Sequence, residues 1–195
     1  MFNRALAISP QNPYARLMLS EAQLATGDAA AAYATVAPLA RSVLAGEQEL
    51  DLGRRAAAAA GSPDAAGYAA RLANGSWKQV QTINAQGLAA VSRRDWPAAI
   101  AAWQQLGGAD DAEIQRRLAY ALHRAGRSPE AVIAADRVLV LQPENPDALY
   151  LAGLVRTEGG LDRERGVALL EQASQRQPSN WLFREALAKA KAAAG

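Results

Sequence analysis

A short phrase recurs along this chain of 195 residues: Ser9-Pro10-Gln11-Asn12-Pro13, then Gln142-Pro143-Glu144-Asn145-Pro146, then Gln177-Pro178-Ser179-Asn180. The last two are 35 residues apart, and the first lies close to four such intervals upstream. A fixed period of about 34 residues predicts a tandem array of small structural units. Each phrase is also a stop signal, because proline cannot continue a helix and restricts the residue before it. A unit of that length buries its apolar side only by leaning on its neighbours, so the whole chain is constrained to stack.

Composition narrows the unit to helices. Half of the residues are apolar, enough for a substantial core, yet only 6% are aromatic and alanine is abundant. That mixture favours closely packed helices over a sheet built from β-branched residues. The formal charge of +2, from 21 basic and 19 acidic residues, gives little electrostatic reason to expect nucleic acid. The lack of cysteine excludes disulfides, thiolate zinc sites and cysteine nucleophiles. No apolar run approaches the roughly 18 residues that would span a bilayer, and the start has no stretch like a signal peptide. The chain is expected to be soluble in cytoplasm or periplasm, with a lean to periplasm if an upstream signal was removed.

The clearest unit covers residues 112–145. Its first helix carries Leu118, Ala119 and Leu122 and is closed by Gly126; its second starts at Ser128-Pro129-Glu130, carries Ala131, Ala135 and Val138, and ends before Pro143. Glycine tolerates the positive φ that stops a helix, and serine then proline suit a helix start. Small residues at Ala119 and Ala131 allow the two helices to approach closely.

With Ala119, Gly126, Ala131 and Pro143 at their offsets, the unit resembles a tetratricopeptide repeat. The same register gives units at 13–46, 47–79, 80–111, 112–145 and 146–180, after the end of a truncated repeat helix at 1–12 and before a capping helix at 181–195. Phe2, Ala5 and Ile8 read as a helix whose partner is missing. The first unit fits through Ser20, Gly27-Asp28, Ala32 and Val36, and the third through Gly87, Arg94-Asp95, Ala99 and Trp103. The fifth departs with an extra turn residue and Gly166 where alanine is usual. The second is the weakest, since Ala56 to Ala60 supply almost no bulk. The resemblance implies an all-α solenoid of about five helix-turn-helix repeats, wound as a right-handed superhelix.

It also implies a concave groove lined by the first helix of each hairpin. Transferred position by position, the lining contains Tyr14, Leu17 and Glu21; Gln48, Asp51 and Arg55; Gln81, Asn84 and Leu88; Arg116, Tyr120, His123 and Arg124; and Tyr150, Leu154 and Thr157. Tyrosine offers contact area at little entropic cost and arginine a planar fork for carboxylates. An acidic side chain or a peptide C-terminus is expected near Arg116, Tyr120, His123 and Arg124. The lysine and asparagine clamp with which some relatives hold chaperone tails is absent.

The remaining constellations read as structural. His123 has no neighbouring metal-ligating partner. There is no nucleophile elbow and no phosphate-binding loop. Asp110-Asp111 suits a helix start, where carboxylates meet the positive end of the dipole. Trp96 and Trp103 are expected in the core, Trp77 over the seam between the second and third units, and Trp181 packed at the start of the closing helix. The expected function is a non-catalytic, cofactor-free scaffold for a protein or peptide. The alternatives are an assembly subunit, self-associating through its terminal helices, or the repeat domain of a larger bacterial secretion, polysaccharide-export or pilus-assembly component.

Overall fold

In the computed structural model, residues 12–108 and 110–193 are described. The described residues form α1 (Pro13–Ala25), α2 (Ala29–Arg41), α3 (Glu47–Ala59), α4 (Asp64–Ala73), α5 (Ser76–Ser92), α6 (Trp96–Gln105), α7 (Ala112–Arg124), α8 (Ser128–Leu141), α9 (Pro146–Gly159), α10 (Arg163–Arg176) and α11 (Trp181–Ala192). None of these is a strand, and none is long and apolar enough to cross a membrane. The expectation drawn from Phe2, Ala5 and Ile8 lies outside the described residues.

The recurring phrase acts as a helix starter as well as a stop. Asn12, Asn145 and Asn180 each accept a hydrogen bond from a backbone N–H of the helix they precede: Ala15 at 3.0 Å, Asp147 at 2.9 Å and Leu182 at 3.2 Å. Pro13 and Pro146 follow as first helical residues, where the missing N–H costs nothing. Asp28, Asp95 and Asp111 cap α2, α6 and α7 in the same way. Asp111 thus serves the structural role read from the sequence.

Two compact units divide the chain at Met1–Thr82 and Ile83–Gly195. In the first, Leu17 of α1 packs with Ala32 and Val36 of α2 and with Leu52 and Ala56 of α3. A second cluster joins Ala40, Ala45, Leu50, Ala57 and Tyr68, with Trp77 packed against it. Trp77 therefore covers the core of this unit. Buried Ser20 donates to the carbonyl of Ala32 at 2.8 Å, tying α1 to α2. Arg71 donates to the carbonyls of Ala40, Ser42 and Val43 at 2.9, 2.9 and 3.2 Å and so caps the end of α2. The alanines of α3 are not idle filler: Ala56 and Ala57 are fully buried, and their small size brings the neighbouring helices close. The thin element is α4, in which Tyr68 is the buried residue.

The expected boundary between residues 79 and 80 falls inside a helix. Gly75 at φ 66° ends the preceding segment and Asn74 accepts from the N–H of Ser76 at 2.9 Å, so α5 begins there. In the second unit Gly87 of α5 packs directly on Trp103 of α6, whose indole N–H donates to the Asn84 side chain at 3.3 Å. Gly166 also has a steric reason, since a Cβ there would stand 2.7 Å from Cγ2 of Thr157. Arg156, 2% exposed, donates twice to Asp136 at 2.7 Å and once to the carbonyl of Ala152 at 2.9 Å, pinning α9 to α8.

Candidate functional site

The second unit sets the first helices of successive hairpins side by side. His123 of α7 meets Glu158 of α9 through Nε2 at 2.8 Å. Tyr150 of α9 stacks on Phe183 of α11 with ring centroids 4.9 Å apart and planes 21° from parallel. The face made by α7 and α9 carries Tyr120, Arg116 and Arg124 exposed, with His123, Tyr150 and Leu154 half-buried. Burial first, and the charges of Glu158 and Glu185 after it, push the Tyr150 phenol above its ordinary value. It therefore presents a neutral ring and hydroxyl at all physiological pH.

The residues expected to take a carboxylate fare differently. Arg116 is occupied: its guanidinium forks onto Glu113 at 2.6 to 2.9 Å. The same Glu113 accepts from Arg117, which also donates to Asn84 at 2.9 Å and stands 5.8 Å from the centre of the Trp103 ring. Asn84, as acceptor for both Trp103 and Arg117, is a framework residue. His123 is committed to Glu158, and its Nδ1 is buried without a partner. Leu154 packs against the cluster of Leu170, Ala186 and Ala190. Leu88 and Tyr120 remain 46% and 45% exposed.

Arg124 is the exception. Its guanidinium lies 5.5 Å from the centre of the Trp96 ring, and Tyr120 meets the same ring edge-on at 6.0 Å, with planes 80° apart. Trp96 is half-buried and serves as the shared wall of this arrangement, which corrects the expectation of a core side chain. An aromatic face attracts and orients a guanidinium without neutralising its charge. The role of Trp96 was missed in the sequence because it sits on a second helix, whereas groove positions were read from first helices alone.

In the first unit, Tyr14 is exposed, but Leu17 is only 6% exposed and belongs to the core. The physical reason is the size of its neighbours: Ala32 and Ala56 leave a hollow that Leu17 fills. Arg55 is held by Glu21 across to α1 and by Asp51 at 2.9 Å, while Arg54 takes the other Asp51 oxygen at 2.7 Å. The hydrogen bond from Arg54 above all, opposed by burial and aided by the bond from Arg55, holds the Asp51 carboxyl below the usual carboxylate range. The charges at Glu21, Asp51, Arg54 and Arg55 satisfy one another.

Trp181 is 65% exposed and Leu182 also lies open, while Phe183 is buried. The expectation that Trp181 packs is corrected, since the buried contact with Tyr150 is made by Phe183. No group of three or more His, Asp or Glu able to hold a metal occurs among the described residues.

Stacked helical hairpins joined through their first helices define an all-α repeat fold. Residues 1–43 match the tetratricopeptide repeat family, and the chain has the fold of tetratricopeptide-repeat solenoids. It is similar to the tetratricopeptide domain of P58(IPK), with a TM-score of 0.56 and 20% identity over 97% of this chain and 58% of that one. It is similar also to the TPR2AB domain of yeast Sti1 in its pHSP90 complex, with a TM-score of 0.52 and 15% identity over 97% of this chain and 89% of that one. YrrB, a tetratricopeptide protein described as having an unusual peptide-binding site, matches with a TM-score of 0.50 and 18% identity over 95% and 96% of the two chains. The chain thus spans little more than half of the P58(IPK) chain. No curated protein matches the sequence.

Proposed function

We propose that the protein is a non-catalytic interaction scaffold that takes a peptide segment or protein surface on the face made by its first helices, α7 and α9 above all. The observation that carries this reading is the row on adjacent helices, with Tyr120 exposed on α7 and Tyr150 and Leu154 half-buried on α9, braced from behind by His123–Glu158 and Tyr150–Phe183. Aromatic area held rigid by its own partners binds at low entropic cost. The fold likeness to YrrB, with its unusual peptide-binding site, and to the Sti1 domain in its pHSP90 complex supports the same reading. Of the residues read from the sequence as groove lining, Leu17 and Asn84 serve the framework; Tyr14, Arg55, Leu88, Arg116, Tyr120, His123, Arg124, Tyr150 and Leu154 stay as candidates.

Quantitative capture from native extract tests it, comparing the wild type with a Leu88→Asp, Tyr120→Ala variant and with Ile133→Asp on the exposed side of α8. Loss of the same proteins in the first variant and their retention in the second is expected. Equal capture by all three would place the contact elsewhere.

A second reading is favoured by the exposed Trp181 and Leu182 at the start of α11. Two large apolar side chains open to water at a helix start suit docking to another copy of the chain.

A further inference from the structure

The turn between α5 and α6 differs from its counterparts in one residue. In the α1–α2 and α7–α8 turns the second residue after the helix adopts positive φ and donates its N–H back to a carbonyl three residues earlier, and the next residue donates to one five earlier. Gly27 and Asp28 do so onto Leu24 and Gln23, and Gly126 and Arg127 onto His123 and Leu122. In the α5–α6 turn the same bonds run from Arg94 to Val91 and from Asp95 to Ala90, and Arg94 adopts φ 59°. An arginine in the left-handed region is strained where glycine is not, and such strain persists at positions that do something else.

Arg94 belongs to a cationic and aromatic stretch of the chain. Arg93 precedes it, Trp96 follows two residues later, and the Trp96 ring carries Arg124 on one side and the edge of Tyr120 on another. Arg116, Arg117 and Arg127 have their carboxylates in Glu113 and Glu130. Arg93, Arg94 and Arg124 meet no carboxylate among the described residues. The Tyr120 hydroxyl likewise meets no hydrogen-bond partner there. The Arg124 guanidinium on the Trp96 ring, with Arg94 and Arg93 two and three residues before that tryptophan in the chain, matches a short run of carboxylates flanked by apolar side chains, because each fork takes a carboxylate in bidentate fashion while the rings receive the neighbouring residue.

We infer that this corner of the second unit reads an acidic segment of the partner protein. Arg124 and Arg94 receive its carboxylates, Arg93 adds field, and Trp96 with Tyr120 receives an adjacent apolar residue. The inference rests on the scaffold reading and assigns the chemistry of its guest. A nucleic acid fits less well: Asp95, Asp110, Asp111 and Glu113 lie close by in sequence, and a net charge of +2 offers no track for a run of phosphates.

Fluorescence anisotropy decides it, with a labelled twelve-residue peptide of aspartate and glutamate containing one leucine and one phenylalanine. The controls are the same peptide with asparagine and glutamine for every acid, and a labelled single-stranded DNA 20-mer. The acidic peptide is expected to bind at least about tenfold tighter than the amide peptide at low salt, and an Arg93→Glu, Arg94→Glu, Arg124→Glu variant to lose about tenfold. Arg94→Gly is expected to weaken the acidic peptide several-fold while raising the melting midpoint, a pair of effects that a merely structural arginine does not produce. Arg137→Glu on α8 should change nothing. Equal binding of the two peptides, unchanged affinity in the triple variant and in Arg94→Gly, or tighter binding of the DNA overturns the inference. A native partner lost on Leu88→Asp, Tyr120→Ala but kept by both arginine variants overturns it while leaving the scaffold reading intact.

Discussion

Replacing Gly87 by alanine tests the packing at the crossing of α5 and α6. An added Cβ would stand 2.7 Å from Nε1 and 2.8 Å from Cε2 of Trp103, well inside van der Waals contact. Trp103 has nowhere to retreat: it is 2% exposed, and its indole N–H is bonded to Asn84, which also accepts from Arg117. Overpacking of this kind costs about 1–3 kcal/mol. Against it stands the better helix propensity of alanine, about 1 kcal/mol in a helix interior. With Trp103 unable to move the clash wins, and a net loss of up to about 2 kcal/mol is expected, or a midpoint lower by up to about 8 °C for a chain of this size. Gly87→Trp, which places a whole indole in the same space, should lose more than twice as much. Thermal melts followed by circular dichroism at 222 nm, with urea melts to extract free energies, give both numbers. A Gly87→Ala variant that melts above the wild type would refute the reasoning, since propensity alone would then govern the site.

Three further outcomes follow from particular contacts. Asp136→Ala leaves the buried Arg156 guanidinium with the Ala152 carbonyl alone, and a loss of about 3 kcal/mol in urea melts is expected, the low end for a broken buried pair because Asp136 is partly exposed. Hydrogen bonds hold the carboxyls of Asp51 and Asp64 below their ordinary range, so their stabilisation is complete at neutral pH and is lost as pH falls below about 4. Acid titration of helicity should be shallower in Asp51→Asn, Asp64→Asn; an unchanged profile would remove those bonds from the account. Multi-angle light scattering on wild type and Trp181→Glu tests the exposed start of α11: a concentration-dependent dimer abolished by the substitution supports self-association, and a monomer in both discards it.

Much of the fold could be read from the sequence because proline, glycine and asparagine act locally. Gly126 and Pro143 end helices through their own backbone limits, whatever surrounds them, and Asn145 and Asn180 cap the next helix from one residue away. The start of α5 was less legible, since Asn74 and Gly75 lie within a stretch whose register pointed to residue 80. Site residues were harder still. Whether a side chain on a first helix lines a face or fills a core depends on the size of its neighbours, and Leu17 went inward because Ala32 and Ala56 left it room. Arg116 and Arg124 look alike in sequence; only the structure shows that Glu113 occupies one while Trp96 backs the other. A usable signal was present in Arg94-Asp95, where the pattern Gly27-Asp28 puts glycine.

Site-specific photocrosslinking tests the central claim that the face of α7 and α9 holds a guest. With benzoylphenylalanine placed at position 120, and separately at position 133 on the exposed side of α8, irradiation in native extract is expected to attach one protein to position 120 and none to position 133. The reverse pattern, or equal labelling at both, would contradict the account.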